Sequence, residues 1–209
     1  MDESISYLKS RWLSPGGSHF IAEVLNQQTT PEKYKKACMD FFGRDNSFIL
    51  SEVHRGVVEF EDLRGMDLSG KNLSGMLFGK SELSFANFEG SKLDEVSFGA
   101  AKIYSTSFKN VVVTAGVNFF ECYARNSNFQ GVHLSNANFY HADLVGADFT
   151  DAVLEHCDFG AAMFQDAIFD GAQMIECDVR GLHLLGNQRN AKWFLSSILK
   201  NKEYIVWED

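Results

Sequence analysis

No run of about 18 apolar residues occurs anywhere in the 209-residue chain, so no stretch of it reads as a membrane-spanning helix. Cysteine is sparse: the four, at 38, 122, 157 and 177, form no CxxC pair and no metal-ligand spacing. With the first twelve residues, MDESISYLKSRW, charged and lacking an apolar stretch before a small-residue cleavage site, no secretory signal peptide is expected. A reducing cytoplasm is the expected location, that of a host cell if the protein is a secreted effector. An Asn-Leu-Ser sequon at Asn72 has meaning only in a secreted chain. There is no glycine-rich phosphate loop, no HExxH and no nucleophile elbow. No catalytic residue, no metal and no cofactor is therefore expected.

Basic charge is also missing where it would matter most. Between Arg125 and Arg180 there are nine acids and no Lys or Arg. Residues 1–60 and 187–209 are nearly balanced, so residues 61–186 carry the whole imbalance of the net charge of −9. Such a chain is unsuited to direct nucleic-acid binding, which needs a basic surface.

Phenylalanine is abundant, at 19 residues, and it is placed with a period. From Ser135 to Asp170 a large apolar residue recurs every fifth position, at Phe139, Leu144, Phe149, Leu154, Phe159, Phe164 and Phe169. Two places before each stands a small one: Ala137, Ala142, Ala147, Ala152, Cys157, Ala162 and Ala167. Five is neither the helical period nor the strand period. Within a unit, the small, middle and large residues alternate in, out, in, as a short strand does, and two further residues reset the phase. A chain that turns after every unit closes a coil. The period runs from Glu61 and shifts by one residue within Thr114–Asn118, with Gly116 the candidate insertion. Stacking at 20 residues with that skip puts like on like: Leu68, Phe88, Phe108, Phe129, Phe149, Phe169 in one ladder and Phe78, Phe98, Phe119, Phe139, Phe159, Val179 in another. Four units per turn follow. A third ladder runs Leu73, Leu93, Val113, Leu134, Leu154, Met174, and a fourth has one hole, at Ala124.

The flanks have a different grammar. Ile5, Leu8 and Trp12 have helical spacing, ended by Ser14-Pro15-Gly16-Gly17. Ser18 is a candidate cap for a second helix carrying Phe20, Ile21, Val24 and Leu25. Thr30-Pro31 starts a third, which would bury Tyr34, Cys38, Phe41 and Phe42 and stop at Gly43. A fourth short helix is expected from Ser47 to His54. After Gly186 the period stops, and Asn190 can cap a helix burying Trp193 or Phe194, Leu195, Ile198 and Leu199, followed by an extended Ile205-Val206-Trp207. Three regions result: a helical cap at 1–59, repeats at 60–187, and a capping or dimerisation tail at 188–209. Both ends are expected to cover the open coils of the array.

Units such as HADLV, GADFT, NANFY and GAAMF resemble the pentapeptide-repeat family, whose consensus is Ala-Asp/Asn-Leu-X-X. The resemblance covers about 61–186, some 25 units or roughly six coils, and at about 4.8 Å per layer implies a rod roughly 30 Å long. It is weaker in the first coil, where Glu61, Met66 and Lys71 hold small-residue positions. It implies an all-β solenoid, a right-handed quadrilateral β-helix, here with a helical N-terminal cap and a C-terminal capping helix.

A filled square rod offers flat faces and no pocket, which argues against acid–base catalysis. Cys157 and Cys177, inward and 20 residues apart, have a spacing that suits a disulfide or a soft-metal pair, and equally suits small fillers like the Ala above and below them. His133 and His183 fall at outward middle positions and His141 and His156 at corners, with no three together. The one feature with functional content is the acidic block: Asp143, Asp148, Asp151, Glu155, Asp158, Asp166, Asp170, Glu176 and Asp178. Two readings stand: the charge is the repeat consensus itself, which favours Asp at the middle position, or it is a surface suited to a basic protein partner. The expected role is a non-catalytic protein-binding scaffold. Resemblance to the quinolone-resistance members implies an alternative: a DNA mimic acting on a type II topoisomerase such as gyrase. That reading would use a homodimer through Trp193, Phe194, Leu195, Ile198, Leu199, Ile205, Val206 and Trp207.

Overall fold

The computed structural model describes residues 5–26, 31–42, 62–185, 194 and 198–208. The rod is built from a single hydrogen-bonding scheme repeated every five residues. In the unit centred on Phe88, the N–H of Asn87 donates to the carbonyl of Met66 in the coil before, and the N–H of Phe88 to Ser107 in the coil after. The N–H of Gly90 reaches Lys109 of the coil after, and that of Ser91 closes the turn onto Phe88. The fifth donor, Glu89 N–H, goes to the side chain of Asn87 at 3.0 Å. All five backbone donors are thus satisfied, which a buried backbone requires.

The fifth bond explains the middle residue. Asp67, Asn72, Asn118, Asn128, Asn138, Asp148, Asp158 and Asp178 each accept from the N–H two positions on. Asn and Asp are the side chains of the right length for such a turn. The last residue of each unit takes positive φ, from Gly65 at 71° to Gly181 at 63°, including Asp151, His156 and Asp166. At Gly131 the corner is glycine: its φ is 62°, and the Asn110 side chain lies over it, with Oδ1 2.7 Å from where a Cβ would stand.

Bridges pair residues 20 apart up to Lys92↔Val112, 21 apart from Ser97↔Asn118 to Val112↔His133, and 20 apart again from Asn118↔Asn138. The expected insertion within Thr114–Asn118 is therefore where it stands. Asp94 holds the bulge by accepting the N–H groups of Thr114 at 2.8 Å and Ala115 at 3.1 Å, and Gly116 supplies the positive φ of 83°.

Short parallel strands form where the middle residues are Val112, His133, Val153 and Gln173: β1 (Val112–Val113), β2 (His133–Ser135), β3 (Val153–Glu155) and β4 (Gln173–Asp178). Inside, the phenylalanines stack along their ladders, with Phe119 on Phe139 at 4.7 Å and Phe129 on Phe149 at 4.8 Å, nearly parallel. The two ladders meet edge to face, as between Phe119 and Phe129 at 5.7 Å and 88°. Ala124, the hole in the fourth ladder, is fully buried.

At the N-terminal end α1 (Ile5–Ser10), a 3₁₀ turn (Arg11–Leu13), α2 (Pro15–Leu25) and α3 (Pro31–Phe42) form the cap. Ser14, not Ser18, caps α2: its Oγ accepts from Gly17 N–H at 3.1 Å, with Pro15 in the first turn. Gly16 and Gly17 lie inside the helix because it crosses the preceding turn closely; a Cβ on Gly17 would sit 2.5 Å from the Arg11 carbonyl oxygen. Trp12 packs on Phe20 and Phe41 and belongs to the same continuous core as Leu63 and Met66. The side chains of Tyr34, Cys38 and Phe42 and the expected helix at Ser47–His54 lie outside the described residues.

At the other end β5 (His183–Leu185), β6 (Ile198–Lys200), a 3₁₀ turn (Lys202–Tyr204) and β7 (Val206–Glu208) continue the stack. β6 pairs with β4 and β7 with β5, both in parallel. The expected helix through Ile198 and Leu199 is corrected here. Phe194 is helical, but Ile198–Lys200 is a strand, because the open coil presents unpaired N–H and C=O groups that a strand satisfies and a helix does not. The extended Ile205-Val206-Trp207 segment supplies Ile205 to the core and Val206 and Trp207 to β7.

The cap is fastened by Arg11, whose guanidinium spans the Asp62 carboxylate at 2.8 and 3.1 Å and also donates to the carbonyls of Asp62 and Arg64. Trp12 Nε1 donates to the Arg64 carbonyl at 2.8 Å. Burial alone would raise the Asp62 pKa, but hydrogen bonds from Arg64 and Arg11, with the Arg11 charge, outweigh it and hold the carboxyl well below the usual range. Replacing Asp62 by Asn is expected to cost about 2 kcal/mol of cap docking. The loss should appear as faster hydrogen exchange at Leu8–Trp12 with the repeat amides unchanged; unchanged exchange there would contradict the role of Asp62. Because folding depresses this pKa, the contribution is complete above the ordinary aspartate value of about 3.9. It is lost only as the pH falls through the lower folded value.

Candidate functional site

The nine acids fall on different parts of the rod, and their neighbours divide them. Asp143 is buried at 7% exposure, with its Oδ2 2.6 Å from Arg125 Nε, so it presents no unpaired carboxylate to a partner. Asp178 accepts from the Arg180 guanidinium at 2.8 Å. Glu155 faces His133 at 3.5 Å and Ser135 at 3.2 Å, and Glu176 lies 3.3 Å from both His156 and Lys200. Asp158 accepts from Gly160 N–H, on the same face as Asp178.

The remaining four gather on one face. Asp148 is the middle residue of a unit bridged to Ile168 in the next coil. Asp166 and Asp170 stand on either side of the Ala167-Ile168-Phe169 unit, and Asp151 occupies the corner beside Asp148, over Gly171. Among the described residues none of these four is in an ion pair. At their centre Ile168 is 45% exposed. Burial works to raise the Asp148 pKa, but hydrogen bonds from the Thr150 hydroxyl and N–H and from Gln130 prevail and hold it low, so it stays charged. The sequence spread the acids over every face; Arg125, Arg180 and Lys200 stand beside Asp143, Asp178 and Glu176, and His133 beside Glu155, while Asp158, also in no ion pair among the described residues, lies on the Asp178 face.

The tail residues are used within the chain. Ile205 is buried, and Phe194 and Leu199 pack against the core. Ile198 and Trp207 lie in β6 and β7, Val206 is 41% exposed, and Trp193 and Leu195 are outside the described residues.

Two features escape the periodic pattern. One is an aromatic pair at equivalent corners, Phe120 stacked on Tyr140 at 6.1 Å, with the Tyr140 ring lying over Gly160, where a Cβ would come within 2.7 Å. Its signal was legible as two aromatics 20 residues apart at positions that are otherwise Gly or polar. The other corrects the expectation of a pocketless molecule: a cavity of about 510 Å³ opens where the cap meets the first coils. A cap of helices cannot match the flat end of a square coil as another coil does.

Cys122, Cys157 and Cys177 are free thiols and buried. Cys157 and Cys177 lie within hydrogen-bond reach of the carbonyls of Leu134 and Leu154 at 3.5 and 3.3 Å, as the hydroxyls of Ser91 and Thr106 do with Leu68 and Leu83 at equivalent positions. They are small inward fillers. The hydrogen bond shared with Cys177, together with burial, holds the Cys157 thiol well above its ordinary range, and burial with the Asp143 charge does the same for Cys122. No group of three or more potential metal ligands forms among the described residues, and no described helix is long and apolar enough to cross a membrane.

The family model for pentapeptide repeats matches residues 62–94, 118–155 and 142–181, in eight copies. The unmatched 95–117 contains the one-residue insertion. Among solved structures the chain is similar to HetL, a pentapeptide repeat protein involved in heterocyst differentiation regulation in the cyanobacterium Nostoc sp. strain PCC 7120, with 16% identity, 62% of each chain covered and a TM-score of 0.31. It therefore spans less than two thirds of that protein's length. It is similar to QnrB1, a plasmid-mediated fluoroquinolone resistance protein, with 15% identity over 74% of this chain and 94% of that one, at a TM-score of 0.38. A pentapeptide repeat protein of the Arabidopsis thaliana thylakoid lumen has 25% identity over 62% of this chain and 72% of its own, at a TM-score of 0.28. No curated protein matches.

Native protein treated with iodoacetamide at mildly alkaline pH should remain unmodified at Cys122, Cys157 and Cys177 by peptide mass spectrometry and become modified at all three after unfolding. Alkylation of any of them in the folded state would show a reactive thiol rather than a filler.

Proposed function

We propose that this chain, whose residues 62–94 and 118–181 are repeats of the pentapeptide-repeat family, is a non-catalytic protein-binding scaffold. Its contact surface is the face bearing Asp148, Asp151, Asp166 and Asp170. The observation that carries this reading is the collection of four uncompensated carboxylates around the exposed Ile168 on one flat, regular face. A rigid array spends little conformational entropy on binding, and a one-sign patch steers a partner of opposite charge. The partner is a protein with a basic surface. Of the other five acids, Asp158 and Asp178 make turn bonds on a different face, Asp143 is paired with Arg125 and Glu176 with Lys200, and Glu155 faces His133.

A second reading makes that partner a DNA-binding enzyme such as gyrase, for which the chain would stand in place of DNA. The same patch favours it, since carboxylates clustered on a rigid face with no Lys or Arg paired to them present a dense negative surface, as a duplex backbone does.

Asn keeps the turn bonds and tolerates positive φ, so Asp148→Asn, Asp151→Asn, Asp166→Asn and Asp170→Asn together should leave the fold intact. Affinity for a captured basic partner should fall at least about tenfold at physiological salt. A control set carrying Glu89→Gln, Glu95→Gln, Glu121→Gln and Asp158→Asn removes the same charge elsewhere and should leave binding in place. Equal loss in both sets, or in neither, would refute this face. For the gyrase reading, purified protein should inhibit supercoiling or relieve fluoroquinolone inhibition, and the four-Asn variant should do neither; an enzyme indifferent to the wild-type protein removes that reading alone.

A further inference from the structure

The cavity between cap and rod is lined on one side by Lys9, Trp12, Leu13 and Ile21 and on the other by Asp67 and Lys71. Its volume, about 510 Å³, lies within the range of roughly 300–1,000 Å³ that holds small organic ligands. Leu13 and Ile21 offer apolar surface, with Leu13 84% exposed, an unusual state for a leucine beside a concave site, while Trp12 is a buried floor. Lys9 and Lys71 bring two ammonium groups, and among the described residues neither is in an ion pair.

The charged lining of the cavity is Lys9 and Lys71 against Asp67, a local excess of positive charge in a chain whose net charge is −9, with Arg11 and Arg64 close by in sequence. The two arginines are committed to Asp62. Asp67 Oδ1 already accepts from Ser69 N–H and the Asn87 amide, each at 3.1 Å. The two lysines are therefore the groups left to receive an anion. Lys71 is there because it breaks the repeat: at its position later coils place Ser91, Val111, Val132 and Ala152 inside, and all four are buried. A lysine cannot enter that core, so its side chain lies exposed at the cavity.

From this we infer that the cavity binds an organic carboxylate with an apolar body. The carboxylate sits between the Lys9 and Lys71 ammonium groups, and the body lies on Leu13 and Ile21. Charge-assisted bonds fix the head, and removal of apolar surface from water holds the rest. The same chemistry comes from two sources, a free carboxylic acid or the C-terminal apolar residue of a peptide. The site is remote in sequence from the acidic face, so its failure would leave the scaffold reading untouched.

The test is a titration of the full chain followed by heteronuclear NMR at the Gly65 and Ser69 amides and the Trp12 indole N–H. The probes are phenylhexanoate, its neutral analogue phenylhexanol, the peptide acetyl-Gly-Gly-Leu-Phe with a free carboxylate, and the same peptide amidated. At least one carboxylate probe should give saturable shifts at these groups, and which one does so identifies the source. Affinity should drop about tenfold for the neutral analogue and for Lys9→Met or Lys71→Met, the loss of one charge-assisted contact. Both lysines are exposed, and Met retains the aliphatic stem, so these variants keep the fold. Absence of saturable shifts with either carboxylate would overturn the inference. So would equal affinity for the neutral analogue, or undiminished binding by the Lys9→Met/Lys71→Met double variant.

Discussion

Every backbone N–H in a five-residue unit needs an acceptor although the chain turns a corner within that unit, and the rest of the rod follows from how this is met. Three donors go to neighbouring coils, one closes the turn, and one is taken by the middle side chain. The middle residue is Asn or Asp so often because it must reach its own backbone two residues on. The corner residue must accept positive φ, which is why Gly, Asn and Asp recur there. The spacing fixed by these bonds is about 4.8 Å per layer, close to the ring separations of 4.7 and 4.8 Å in the best-stacked phenylalanine pairs. Backbone and core therefore demand the same repeat distance, and each reinforces the other.

The same constraint divides the surface charge into kinds that sequence alone does not separate. Asp148, Asp158 and Asp178 are acids that the turn requires. Asp143 is acidic and spent on Arg125. Asp151, Asp166 and Asp170 perform no such task, and with Asp148 they form a face whose charge is open to a partner. Apart from the bulge at Thr114–Asn118, irregularity lies at the ends, where coil meets something other than coil. At the C-terminal end the tail becomes strand to satisfy exposed backbone groups; at the N-terminal end helices cover the coil through Arg11 and Trp12 and leave a cavity.

Much of this was legible in residue order. The period, the phase shift at Thr114–Asn118, four units per turn and the phenylalanine ladders all follow from positions of Phe, Leu and Ala, because inward positions in a solenoid depend only on local spacing. What escaped notice depended on neighbours distant in sequence. Ser14-Pro15-Gly16-Gly17 reads as a helix stop and Ser18 as the next cap, but the close approach of Gly17 to Arg11 puts that glycine inside α2, with Ser14 as the cap. Ile198 and Leu199 had helical spacing, but the edge of β4 drew them into a strand. The Lys71 exception was visible, yet its meaning depended on Lys9 and Leu13 arriving from the other side of the cavity.

The candidate site shows the division most plainly. Sequence by itself determined the rod, its core and the acidity of its C-terminal half, because a five-residue period repeats one local solution and needs no knowledge of the whole. Only the tertiary structure decided which acids remain uncompensated and where a cavity opens. Those depend on distances such as those between Arg125 and Asp143 and between Lys200 and Glu176, and on which residues of the cap arrive beside Lys71, all set by the coiling of the backbone and the docking of its ends.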